Sequence, residues 1–100
     1  RNRYYLVEDE AGAILIANEG SNGAASSGWL YYTVSGDWLT VQQAIMYDAA
    51  ADEENPWFMA YDDDWDTSND EPVDEDMAQS VINSYTDNYA KLDWTILVQE

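Results

Sequence analysis

Between Asp48 and Asp76 the chain carries thirteen carboxylates and no basic residue: Asp48, Asp52, Glu53, Glu54, Asp62, Asp63, Asp64, Asp66, Asp70, Glu71, Asp74, Glu75 and Asp76. Carboxylates at such density can do three things: exchange protons with a substrate, coordinate a hard cation, or present negative charge to a partner. Proton exchange is the weakest of these. A pair such as Asp62 and Asp64 could do glycosidase-type acid–base work, but that needs two carboxyls driven apart in pKa by their surroundings. The chain has no His, and its only Lys, Lys91, lies outside the segment, so no residue type singles out a catalytic pair. The absence of Cys and His also removes thiolate and imidazole nucleophiles, zinc ligation of the usual kind and any disulfide framework. The chain is expected not to be an enzyme, and no cofactor is expected.

Cation binding has a partial motif. In Asp64-Trp65-Asp66-Thr67-Ser68-Asn69-Asp70-Glu71-Pro72-Val73-Asp74-Glu75, the residues Asp64, Asp66 and Ser68 fall at calcium-loop positions one, three and five, and Glu75 at twelve. The rest of the pattern fails. Asn69 stands where the sharp turn needs Gly, Glu71 where a small apolar side chain packs, and Pro72 stiffens the loop. A calcium site at Asp64, Asp66, Ser68 and Glu75 is therefore the lesser reading.

Charge presentation fits the whole chain better. There are 21 acidic residues against Arg1, Arg3 and Lys91, giving a formal net charge of −18. That charge opposes compaction by self-repulsion, yet 46% of the residues are hydrophobic, with five Trp and eight Tyr. A folded domain under charge strain is implied. Like-charge runs are often plain solvated loops, although ordinary solvated faces mix both signs. A salt-adapted chain uses net charge for hydration, and the excess of Asp over Glu suits it. Its acids should then coat the surface evenly instead of gathering in one half. The third reading is imitation of nucleic acid, whose binding proteins gain affinity through Lys and Arg contacts to phosphates. Residues four apart on a helix lie about 5–6 Å apart, and alternate residues of an extended chain ~6–7 Å apart. On those spacings Asp48 and Asp52, then Asp62, Asp64 and Asp66, then Asp70 and Asp74 could stand in for successive phosphates.

The elements that must carry these acids are read from periodicity. Tyr4 to Val7 and Ala13 to Ala17 form a hairpin, Asn18 to Gly28 a loop, and Gly28 to Val34 a third strand. A helix is predicted from Thr40 to about Asp52, with Gln43 at capping-box spacing and Val41, Ala44 and Ile45 facing inward. Trp57 to Tyr61 reads as a buried strand, and a second helix starts near Asp74 with Met77, Val81, Tyr85 and Tyr89 along one stripe. Trp94 to Val98 reads as a closing strand. The order β-β-β-α-β-α-β implies one α+β domain over residues 1–100, a small mixed or mostly antiparallel sheet with two helices on one face. Trp29, Tyr31, Trp57, Met59, Trp94 and Ile96 are expected in the core. Trp38 and Trp65 are expected at the surface beside the acids, Trp65 as an interface anchor.

Several of these pieces resemble ArdA-type antirestriction proteins, the DNA mimics of mobile elements and phages. They are Ile14-Leu15-Ile16-Ala17-Asn18, then Gly20 and Asn22, Gly28-Trp29-Leu30, and Glu54-Asn55-Pro56-Trp57-Phe58-Met59-Ala60-Tyr61-Asp62-Asp63. About half the chain takes part. The resemblance implies strand, Gly/Asn loop, Gly-x-Trp strand, acidic helix and aromatic strand in that order. It also implies an inhibitor of a restriction enzyme or, by the same charge logic, of a CRISPR effector. Asp48, Asp52, Asp62, Asp63, Asp64, Asp66, Asp70, Glu71, Asp74, Glu75 and Trp65 would meet the basic nucleic-acid-binding protein or complex. The chain itself would not bind nucleic acid or membrane, and a homodimer is compatible with this reading. No apolar run reaches the ~18–20 residues that span a bilayer, so a cytoplasmic location, in the host cell for a phage protein, is expected. The alternative is a salt-adapted or calcium-binding acidic structural or interaction domain.

Overall fold

Two glycines set the near end of the sheet. Gly12 (φ 88°) and Gly36 (φ 61°) take the left-handed backbone that side chains resist, and each closes a turn between antiparallel strands. At the first turn the Asp9 carboxylate also accepts the backbone N–H groups of Ala11 and Ala13. The computed structural model describes residues 2–21 and 26–89. Strands β1 (Arg3–Glu8), β2 (Ile14–Ser21), β3 (Ser26–Ser35), β4 (Trp38–Asp48), β5 (Trp57–Ala60) and β6 (Glu71–Pro72) form one antiparallel sheet in chain order. A single-turn 3-10 helix (Thr67–Asn69) precedes β6, and helix α1 (Glu75–Thr86) follows it.

This is a mostly β meander, and the predicted α+β arrangement with two helices is wrong. The residues read as a first helix, Thr40 onward, are β4, which pairs with both β3 and β5. The physical reason is that β4 is central and its Ala44–Met46 part is buried on both faces. Ala44, Ile45 and Met46 are at most 2% exposed, so the segment shows a continuous apolar run instead of strand alternation. A bulge between the Tyr31–Gln43 and Tyr32–Val41 pairs leaves Gln42 unpaired and shifts the pattern further. The acidic helix implied by the antirestriction resemblance falls on this same strand. The Gly-rich loop is also shorter than expected, since β2 extends to Ser21 and β3 starts at Ser26. The predicted closing strand, Trp94 to Val98, lies outside the described residues.

Helix α1 forms where the second helix was placed. Asp74 is its N-cap, accepting the Met77 N–H at 2.7 Å. Val81, Tyr85 and Tyr89 of the expected stripe pack against the sheet, but Met77 is half-exposed and the buried helix positions are Ala78 and Ile82. The helix covers one sheet face, packing Ala78 and Ile82 on Ile45 and Met59, with Trp29, Trp57, Val73 and Val81 around them. Tyr85 in its last turn and Tyr89 beyond it lie against Val7, Leu15, Ala17 and Tyr31. Tyr31 stacks on Tyr85 with centroids 3.6 Å apart, and Tyr5 on Tyr89 at 4.7 Å. The opposite face holds Leu30, Ala44, Met46, Phe58 and Ala60, with Tyr32, Val41 and Trp65 packed against them. Its cover is the acidic loop after β5.

Candidate functional site

The acidic loop is hydrogen-bonded to itself for reasons visible in its sequence. Asp and Asn side chains readily accept backbone N–H groups two residues ahead, and here they do so in series. Asp62 accepts from Asp64 N–H (3.5 Å), Asp64 from Asp66 N–H (2.9 Å) and Asp66 from Ser68 N–H (3.0 Å). The Asp66 bond caps the 3-10 turn and holds that carboxyl below its ordinary value. Between these acids Trp65 turns inward. It adopts φ 62°, a left-handed backbone rare for a bulky residue, and packs on the core. The space for its ring exists because residue 28 is glycine: a Cβ there would stand 2.8 Å from the Trp65 Cη2 atom. Thr67 is buried, and its hydroxyl donates to the Asp48 carboxylate at the end of β4 (2.9 Å).

These contacts bring part of the sequence-predicted set together. Asp62, Asp64 and Asp66 surround Asp70 closely enough to perturb it. Asp70 is pushed up to about 6, first by its partial burial and then by the Asp62, Asp64 and Asp66 charges. Asp62 is also pushed up, by loss of water and then by the Asp64 carboxyl. Asp48 joins through Thr67. Asp52 lies in the β4–β5 connection, its amide donating to the Asp48 carbonyl (3.3 Å) and its carboxylate accepting the N–H groups of Glu54 and Asn55. Asp63 lies beside Tyr32, whose hydroxyl donates to it at 3.5 Å. Burial first, and then the Asp63 charge, push the Tyr32 hydroxyl up to about 12.

Glu71, Asp74 and Glu75 stand apart from this group. Glu71 pairs with Met59 in β6, Asp74 caps α1, and Glu75 occupies its first turn. Of the calcium-loop residues, Glu75 lies in the first turn of α1, and the Asp64 and Asp66 carboxylates accept the loop's own amides. Among the described residues no group of three or more His, Cys, Asp or Glu is arranged to hold a metal ion. Trp65 is half-buried in the core rather than free at the surface, whereas Trp38, at the β3–β4 turn, is 76% exposed.

A second feature was not expected from the sequence. On the face that the acidic loop covers, alternation puts Leu6, Ile16, Tyr32 and Val41 in one row, each paired with the next. One row nearer the turns lie Glu8 and Ile14, which pair, and Val34 and Leu39, which pair. Ile14, Val34 and Leu39 are 48%, 50% and 52% exposed. The available signal was the apolar pair flanking Ser35-Gly36-Asp37-Trp38, concealed by reading Val41 as helical.

No protein-family model matches the chain, and no curated protein or solved structure matches it either. Among the described residues no helix is long and apolar enough to cross a membrane.

Proposed function

We propose that the chain is an acidic nucleic-acid mimic that occupies the positively charged DNA- or RNA-binding site of a bacterial defence complex, acting by binding and not by catalysis. The observation that carries this reading is the preorganised acid array. Asp62, Asp64 and Asp66 are held by successive backbone amides, the loop is anchored by Trp65, and Asp62, Asp63, Asp64 and Asp66 remain exposed. A flexible acidic tail would lose conformational freedom on binding a basic groove, whereas a fixed array has already lost it. The perturbed Asp70 supports the same reading, because a cluster whose own charges resist ionisation gains most when Lys or Arg of a partner arrives. A restriction enzyme or CRISPR effector is the target class that the antirestriction resemblance suggests, and the host cytoplasm is where such a protein would act.

The test is a pull-down with the purified chain from bacterial lysates containing restriction and CRISPR complexes, beside the variant Asp62→Lys/Asp63→Lys/Asp64→Lys/Asp66→Lys. Capture of one nucleic-acid-binding complex by the wild type, released by salt or competing DNA and absent with the folded variant, is the expected result. Equal capture by the variant would sink the proposal. So would a chain that captures nothing and folds only in molar salt.

A further inference from the structure

The exposed apolar row of Ile14, Val34 and Leu39 continues, through Tyr32 and Val41, into the packed core beneath the acidic loop. Three half-exposed aliphatic side chains from adjacent strands form a patch, and apolar patches with charged borders are characteristic of protein-binding surfaces. The border here has one sign. Glu8 closes the row on β1, whereas Asp9 and Glu10 of the β1–β2 turn line a cavity on the helix-covered side with Val7, Leu15 and Tyr85. Asp37 lies in the β3–β4 turn, and Asp63 reaches Tyr32 on the loop side. Arg3 is the sole basic residue among those described, and alternation along β1 puts it on the helix-covered face with Tyr5 and Val7.

Resting on the mimic reading, we infer that this face docks a basic amphipathic helix of the target protein. The helix would lay its apolar stripe on Ile14, Val34 and Leu39 and direct Lys or Arg side chains outward to Glu8 and Asp63. Charge complementarity selects this occupant. A neutral apolar segment would leave the acidic border without counter-charges, and a purely basic one would leave the aliphatic row in water. Packing a helix stripe on an open sheet face is the arrangement that α1 already uses on the other side. It follows that the target is held by two chemistries: carboxylates on its nucleic-acid site, and apolar contact with an adjoining basic helix. The second would resist salt that weakens the first.

The experiment uses the full chain, labelled with 15N, and two synthetic peptides of equal Leu and Lys composition. One carries leucines along a single helical face, and the other is scrambled so that no face forms. The patterned peptide is expected to shift the amides of Ile14, Val34 and Leu39 and to bind on the order of tenfold more tightly than the scrambled one. The variant Val34→Ser/Leu39→Ser changes half-exposed positions and should retain its circular-dichroism spectrum. It is expected to abolish the difference between the peptides while leaving the salt-sensitive affinity for the scrambled one.

Equal binding of both peptides by wild type and variant, lost on Asp63→Lys/Asp64→Lys, would overturn the docking face and leave the mimic reading standing. Binding of neither peptide at low salt would count against both. The inference also fails if the wild type sediments as a dimer that Val34→Ser/Leu39→Ser dissolves. It fails likewise if the Ile14, Val34 and Leu39 methyls give nuclear Overhauser contacts to the chain's own residues 90–100. In those cases the occupant is a second copy or the chain itself.

Discussion

The ring of Trp65 occupies the space that a side chain at position 28 would need. A Cβ on Gly28 would stand 2.8 Å from Trp65 Cη2 and 3.0 Å from Met46 Sδ. Through this contact a strand residue far from the acids in sequence determines where they are held, because Trp65 lies between Asp64 and Asp66 and is the loop's inward anchor.

Gly28→Ala is therefore expected to push Trp65 outward. Overpacking in a well-filled core costs about 1–3 kcal/mol, which urea denaturation would register. The more specific outcome lies in the loop. Displacing Trp65 should release the Asp64–Asp66 and Asp66–Ser68 hydrogen bonds, and hydrogen exchange at the amides of Asp66 and Ser68 should accelerate. Unchanged protection there would mean that the carboxylate–amide series holds the loop without the Trp anchor.

Asp70 supplies a pH dependence with a defined sign. Its unfolded carboxyl titrates near the ordinary 3.8, and in the folded chain it is raised to about 6 by burial and then by Asp62, Asp64 and Asp66. Between these values the folded state holds a proton that the unfolded state has lost. Asp70 thus favours folding below the lower value, and that contribution is lost as pH rises through about 6. Asp70→Asn is expected to raise stability at neutral pH and to flatten this decline, as read by thermal unfolding across the window. A 13C titration of the Asp70 carboxyl should give its midpoint directly, and a cationic partner should lower it with release of a proton.

Where the sequence was legible, one periodicity dominated. The β1–β2 hairpin alternates between a buried face and a half-covered one, and α1 announces itself through Asp74 and the acids after it. Thr40 to Asp48 was not legible in this way. Val41, Ala44, Ile45 and Met46 face opposite sides of a strand covered on both sides, and the unpaired Gln42 breaks the count, so the spacing mimics a helix. The acids of the candidate site could be named from composition. Their grouping could not, since Thr67 binding Asp48 and Trp65 filling the space at Gly28 are contacts across the fold that no local spacing encodes. The Ile14, Val34 and Leu39 row was hidden for the same reason: it exists only once β2, β3 and β4 are in register.

The bulge at Gln42 has a structural use that mutation can measure. Gln42 and Gln43 are consecutive, yet both reach the Tyr85 hydroxyl on the helix-covered face. Tyr85 donates to Gln43 Oε1 at 2.7 Å and accepts from Gln42 Nε2 at 3.0 Å. Tyr85→Phe keeps the stack on Tyr31 and removes both bonds, leaving a half-buried amide without its partner. A loss of about 1–2 kcal/mol is expected. Tyr85→Ala also removes the stacked ring, and about 3 kcal/mol or more is expected for truncating a large packed aromatic. Denaturation midpoints that fail to separate the two variants would show that the hydrogen bonds, and not the stack with Tyr31, hold the end of α1.

Salt separates charge strain from salt adaptation. The described residues span 38 × 30 × 25 Å, and at about 0.01 M ionic strength the Debye length is roughly 30 Å. Under those conditions each carboxylate interacts with nearly every other. At about 0.15 M the screening length falls to roughly 8 Å, and repulsion is confined to neighbours such as Asp62, Asp64, Asp66 and Asp70. If the relief amounts to about 1 kcal/mol, the melting temperature of a domain this size rises by roughly 4–8 °C over that interval. Further salt should add little, because what remains is short-range and built into the loop. A variant that reverses exposed acids without carboxylate–amide bonds, Glu53→Lys/Glu54→Lys/Glu71→Lys, should begin at the higher temperature and respond less. A melting temperature that climbs steadily into molar salt, in wild type and variant alike, would instead identify hydration of the whole acidic surface as the source of stability.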